Sequence, residues 1–245
     1  ELVDVPVLIV HVSSNAAMTQ IQTAQGRGIN IYAETCPQYL FLTADDLAQP
    51  GFEGAKCVCS PPPRNAEEQE HIWRGLKTGV FQVFSSDHAP YSYEDPKGKK
   101  NAGENAPFRR VPNGVPGIET RLPLLMAKGV MEGRINVHRF VDLTSTTPAK
   151  LYGLFPRKGT IAPGSDADLV IWDQERDFTL TNDMLHHNVD YTPYEGIQLR
   201  AWPATVISRG EVIVENGDCI GAPGRGEFLP SARFDVLKNR EGEIV

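Results

Sequence analysis

Three short β-branched runs separated by helix-patterned stretches occupy the first ninety residues, and this alternation is the signature of βα units around a parallel sheet. The runs are PVLIVHV (Pro6 to Val12), INIYAETC (Ile29 to Cys36) and VFQVFSSD (Val80 to Asp87). Between the first two lies SSNAAMTQIQTAQGRG, in which Ser13, Ser14 and Asn15 can cap a helix and Gly26 and Gly28 can end it. Before the third, RNAEEQEHIWRGLKTG sets Glu67, Glu68 and Glu70 early and Arg74 and Lys77 late, the order that complements a helix dipole.

Past Asp87 the pattern changes. Residues Pro90 to Val111 are rich in Gly, Pro, Lys and Asn and lack any period, which predicts a long functional or mobile loop. The basic run from Lys97 to Lys100 inside it reads as solvated. Helix-patterned segments follow: GIETRLPLLMAKGVMEG, interrupted by Pro123, then VHRFVDLTS and PAKLYGL. After Pro156 the chain turns to alternating strands with Gly turns, KGTIAPGSDADLVIWD and ATVISRGEVIVENG, with HHNVDYTPYEGIQLRAWP between them. The expected organisation is a barrel portion over residues 1–155, a β-rich segment with a return connection over 156–218, and an extended tail over 219–245. An apolar strand that starts within a few residues of Glu1 needs neighbours to satisfy its backbone and faces, so further sequence is expected upstream.

Composition narrows the function classes. A chain of 245 residues, 40% hydrophobic and 22% charged, is long enough for a sizeable core and is neither disordered nor membranous. No apolar run approaches the roughly 18 to 20 residues of a membrane helix, and no cleavable leader opens the sequence. A cytoplasmic protein is the expectation. The net charge of −7 disfavours sequence-independent nucleic-acid binding, which needs clustered Lys and Arg. Cys36, Cys57, Cys59 and Cys219 form no CxxC pair and read as reduced thiols.

His11 and Asp87 each stand at the C-terminal end of an apolar strand, where parallel βα barrels carry their catalytic side chains. Singly, His11 can be a hydrogen-bonded structural histidine, and Asp87 can cap the backbone of His88 to Pro90. Together they offer an imidazole and a carboxylate, a donor set suited to zinc and neighbouring divalent ions, although a hydrolytic site needs at least three protein ligands. His88 is a rim candidate at best. His71, His138, His186 and His187 read as surface or packing residues, and Cys57 and Cys59, alternating on one strand face, read as core. Walker and dinucleotide-binding fingerprints are absent.

The strings VHVSS, AETCPQYL, CSPPPR, SSDHAP, VPNGVPGIETRL, GTIAPGSDADLVIWD and ISRGEVIVENG occur here in register. In that order they resemble the dihydropyrimidinase and hydantoinase branch of the cyclic amidohydrolases across essentially the whole chain. The resemblance implies an α/β fold, the C-terminal part of a (β/α)8 barrel followed by part of a β-sandwich. It also implies two divalent metal ions, zinc foremost, bridged by a hydroxide. His11 matches a metal-binding histidine, and Asp87 matches an aspartate that both ligates metal and shuttles the proton. Ser60 and Asn113 match residues whose main-chain groups hold the ring amide of the substrate. The family's HxH pair, carboxylated lysine and further histidine have no match in this chain. The implied substrate is a small cyclic amide or imide and the implied assembly a homotetramer or homodimer. Gln38 stands where allantoinase-like and dihydroorotase-like members usually carry histidine, which favours dihydropyrimidine or hydantoin rings over theirs. A non-catalytic scaffold of the same fold is the alternative from another class, and retention of His11 and Asp87 argues against it.

Overall fold

The computed structural model describes residues 5–232. By packing, the chain divides into two compact units, Glu1–Leu125 with Phe178–Leu199, and Met126–Asp177 with Arg200–Val245. These divisions follow contacts within the chain, whereas the expected boundaries at 155 and 218 follow the change from helix-patterned to strand-patterned sequence. From residue 233 onward the expected tail lies outside the described residues.

In the first unit, β1 (Val7–Ile9), β2 (Ile31–Thr35) and β3 (Val83–Phe84) form a parallel sheet in that order. Val7 aligns with Ile31 and Ile9 with Ala33, while Glu34 aligns with Val83 and Thr35 with Phe84. All three strands are shorter than their apolar runs. The central strand β2 is covered on both faces from Tyr32 to Thr35, as expected for a strand flanked by parallel neighbours. β1 has one partner among the described residues, and its Val7 and Ile9 are exposed.

The predicted helices form where their signals stand. α1 (Asn15–Gly26) is capped by Ser14, whose hydroxyl accepts from the Ala17 N–H, and the chain turns out through Gly28 at φ 75°. In the crossover from β2 to β3 lie two short helices, α2 (Gln38–Phe41) and α3 (Ala44–Leu47), and then α4 (Ala66–Thr78). α4 starts with Glu67 and Glu68 and is ended by Gly79, which takes the left-handed conformation (φ 91°) that a side chain would strain.

Ile72 and Leu76 of α4 are wholly buried, as are Phe81, Phe84 and Ala33. Each of the larger side chains, Ile72, Leu76, Phe81 and Phe84, contributes about 1.5–3 kcal/mol relative to exposure. A Cβ on Gly75 would lie 2.5 Å from both Met18 Sδ and Phe81 Cε2, so glycine lets α4 sit close to α1 and the core.

Pro123 does not interrupt its helix. α5 (Arg121–Leu125) begins only two residues earlier, placing the proline in the first turn, where its missing N–H has no intrahelical partner in any case. Cys57 and Cys59 do not share a strand face either. Cys57 ends a 3₁₀ turn (Glu53–Cys57) and Cys59 follows in extended chain, and both are buried as core.

The second unit continues with a π-helical turn (Met126–Met131), α6 (Val137–Val141), a second π-helical turn (Asp142–Thr146) and α7 (Thr147–Leu151). The four-stranded sheet of β4 (Leu169–Thr179), β5 (Gln198–Ser208), β6 (Glu211–Glu215) and β7 (Asp218–Cys219) is ordered as in the sequence. Within this unit the Phe140 and Trp172 rings meet edge to face at 5.8 Å. Among the described residues, no helix is long and apolar enough to cross a membrane.

Candidate active site

In the order of the parallel sheet, His11 follows β1 by two residues, Cys36 follows β2 directly and Asp87 follows β3 by three. His11 is half-buried and Asp87 exposed. Both hold the left-handed backbone region, at φ 43° and 44°. A non-glycine residue there costs on the order of 1–3 kcal/mol and persists only where its surroundings enforce it. They do so here. After His11, Val12 N–H donates to Glu34 O at 2.9 Å and Thr35 Oγ1 donates to Val12 O at 2.8 Å. On either side of Asp87, Ser85 N–H donates to Thr35 O at 3.1 Å and Ala89 N–H to Val115 O at 3.2 Å. With β2 between them, β1 and β3 stand about 10 Å apart.

The groups beneath this pair are inert. Cys36 Sγ lies 3.2 Å from Ser85 Oγ, and burial drives its thiol far above the usual range, with the nearby Glu34 and Asp87 charges acting in the same direction. Burial pushes Cys57 and Cys59 up to about 12. Protonated thiols neither attack nor ligate readily, so the buried cysteines are structural. All four are free, as the spacing predicts.

Ser60 and Asn113 arrive on segments tied to those strand ends. Arg64 Nε donates to Ser13 Oγ at 3.2 Å, joining the CSPPPR segment to the chain after His11. Gly114 N–H donates to Val58 O at 3.0 Å, joining CSPPPR to VPNG, and Val115 O accepts from Ala89, joining VPNG to the turn after Asp87. Gly114 is obligatory in this network, since at φ +133° its Cβ would lie 2.4 Å from Ala89 Cβ and 2.6 Å from Ala89 O. The neighbours' polar groups are occupied: Pro61 O accepts from Tyr39 OH, and Pro112 O and Gly114 O accept from Lys99. Among the described residues the main-chain N–H and C=O of Ser60 and of Asn113 make no hydrogen bond, and both residues are exposed. They are open to a ligand.

Beside Asp87, a cavity of about 610 Å³ is lined by His88, Tyr91, Asp95, Lys97, Glu119 and His186 among others. His88 Nδ1 accepts from the N–H groups of Gly117 (3.0 Å) and Ile118 (3.2 Å), which fixes the ring proton on Nε2, and burial lowers its pKa. His186 meets Glu119 at 2.8 Å through Nδ1, and His187 meets Asn182 at 2.8 Å through Nε2. Read as surface or packing residues, these histidines prove to border a cavity. Glu119 stands 67 residues from His186, so no local signal pairs them.

Among the described residues no three His, Cys, Asp or Glu side chains gather into a complete metal site. Imidazole and carboxylate are donor types that zinc and neighbouring divalent ions take, which is the chemistry that His11 and Asp87 offer. Residues 7–213 match the Amidohydrolase family. The chain belongs to the amidohydrolase family. It is 46% identical to a D-hydantoinase of Rhizobium radiobacter and 44% identical to one of Ralstonia pickettii, each over 96% of this chain and 50% of the relative. A crystal structure of dihydropyrimidinase from Brevibacillus agri NCHU1002 superposes with a TM-score of 0.92 at 44% identity, again covering 96% of this chain and 50% of the other. The chain thus spans about half the length of the curated relatives it matches. The amidohydrolase match takes in all four candidate positions, His11, Ser60, Asp87 and Asn113, and the mixed α/β fold is that of the hydantoinase structures.

Proposed function

We propose that this chain supplies the C-terminal strands of a (β/α)8 barrel, part of an accompanying β-sandwich, and half of a site that hydrolyses the ring amide of dihydropyrimidines or hydantoins. The observation that carries the reading is the matched pair of left-handed residues, His11 and Asp87, at the C-terminal ends of parallel strands flanking β2. His11 and Asp87 would hold divalent metal, zinc foremost, together with ligands from outside this chain. When bound, two such ions supply a water acidified to a pKa of roughly 7 and a polarised ring carbonyl.

The chain's own residues then do the rest. The open main-chain groups of Ser60 and Asn113 orient the ring by pairing with its amide N–H and C=O. Asp87 takes the proton from the attacking water and passes it to the ring nitrogen as the C–N bond breaks. One C–O bond forms and one C–N bond breaks, the ring opens to a carboxylate and a ureido group whose nitrogen receives the transferred proton, and the water's second proton leaves to solvent. Asp87 is exposed and makes no ion pair among the described residues, which leaves its carboxylate accessible for that transfer. By the same family likeness, the assembly is a homotetramer or homodimer.

The test is turnover of dihydrouracil and hydantoin by the metal-loaded full-length protein, with allantoin and dihydroorotate beside them. Hydrolysis of the first two and its loss in Asp87→Ala is the expected result. General acid and base help alone is typically worth about 10² to 10⁴ in rate, and a ligand is lost as well. Near-normal hydrolysis by Asp87→Ala refutes the assignment.

A further inference from the structure

Lys99 lies in the loop between Pro90 and Val111, within a basic run whose composition predicts solvation. The structure corrects that expectation. Lys99 is 1% exposed, while its neighbour Lys100 pairs at the surface with Glu94 (2.7 Å) and Glu104 (2.8 Å). The Lys99 ammonium donates to three main-chain carbonyls: Val58 at 3.1 Å, Pro112 at 2.8 Å and Gly114 at 2.7 Å. Its three protons are all used. No carboxylate is among its hydrogen-bond partners in the described residues. Burying an ammonium without a counter-charge is costly, so the position demands an explanation beyond loop packing. Burial pushes its pKa down to about 8, with the nearby Cys59 and Cys57 acting in the opposite direction.

The acceptors are not scattered. Val58 precedes Ser60 by two residues, and Pro112 and Gly114 bracket Asn113. A single ammonium therefore joins the two segments that carry the open main-chain groups of Ser60 and Asn113. Without it, Pro112 O and Gly114 O lose their donor, and Gly114 N–H to Val58 O is the one main-chain hydrogen bond left between the segments among the described residues. We propose that Lys99 is a positioning residue for substrate: it fastens the Ser60 segment to the Asn113 segment and sets the spacing of the main-chain groups that receive the ring amide. The inference rests on the reading of Ser60 and Asn113 as the ring-binding pair.

The test compares wild type, Lys99→Met, Lys99→Gln and the surface control Lys100→Met in the full-length, metal-loaded protein. The readouts are KM and kcat for hydantoin and dihydrouracil, metal content and thermal midpoint. Lys99→Met, which keeps the packing and removes the donors, is expected to raise KM about tenfold or more while kcat and metal content stay within about threefold of wild type. Lys99→Gln restores part of the donor set and should recover part of the KM, and Lys100→Met should match wild type. An unchanged KM in folded Lys99→Met overturns the proposal while leaving the hydrolase reading intact. So does loss of fold or metal in both Lys99 variants, which marks a purely structural lysine. Should wild type hydrolyse no cyclic amide, the hydrolase reading falls first and this inference with it.

Discussion

Gly114→Ala probes the coupling between the ring-binding segment and the Asp87 turn. The added methyl would lie 2.4 Å from Ala89 Cβ, 2.6 Å from Ala89 O and 3.3 Å from Ala89 C, so two of the three obstacles are backbone atoms. Carbon atoms rest at about 3.5 Å, so the two segments must part by about 1 Å. Overpacking of this kind costs roughly 1–3 kcal/mol. The φ of +133° adds strain of about 1–3 kcal/mol for any residue with a Cβ. The sum, about 2–6 kcal/mol, lowers the thermal midpoint by at least about 4 °C for a protein of this size. Ala89 follows Asp87 by two residues, and a misplacement of about 1 Å at reacting groups costs around 10²-fold in rate. The assay is calorimetric unfolding together with kcat/KM on hydantoin, using Gly26→Ala as the control. Gly26 closes α1 with nothing within 4 Å of its virtual Cβ, so alanine there should leave activity unchanged and stability equal or up to about 1 kcal/mol higher. If Gly114→Ala matches wild type in both midpoint and kcat/KM, the reasoning is refuted.

Three further outcomes are expected. Gly75→Ala drives a methyl against Met18 Sδ and the buried Phe81 ring, destabilising by about 1–3 kcal/mol, and in a double-mutant cycle with Met18→Ala the combined loss in denaturant unfolding should fall short of the sum of the two. Asp190 accepts from the N–H groups of Tyr93 (2.6 Å) and Glu94 (2.8 Å), which outweigh its burial and hold its carboxyl below the usual range. That stabilisation is present above the unfolded carboxylate pKa of about 3.9 and fades as pH falls through the lower folded value. With screening at this exposed site, Asp190→Ala should lose about 1 kcal/mol at pH 7, a difference that shrinks in unfolding titrations as pH falls below the unfolded carboxylate value. His11→Ala should still fold, since His11 is half-buried and makes no side-chain hydrogen bond among the described residues, yet its turnover of hydantoin should drop below detection.

The βα alternation was legible because its causes are local. Ser14, Gly28, Glu67, Glu68 and Gly79 act on the backbone within a turn of themselves, and the helices start and stop where those residues stand. The strand ends that carry His11 and Asp87 were legible for the same reason. What was hidden depends on distance along the chain. Lys99 contacts carbonyls 41, 13 and 15 residues away, and its surroundings in sequence look like any solvated loop. The Glu119 to His186 pair and the division of the chain into units likewise depend on packing between remote segments. Pro123 misled because its effect depends on where the helix begins, which the periodicity alone leaves open by several residues.

The most direct measurement is the crystal structure of the zinc-loaded full-length protein, with anomalous scattering used to locate the metal. The account predicts a zinc ion about 2.0–2.2 Å from an imidazole nitrogen of His11 and zinc at similar distance from a carboxylate oxygen of Asp87, in one pocket. Zinc bound elsewhere, with the two side chains turned away from each other, would contradict it.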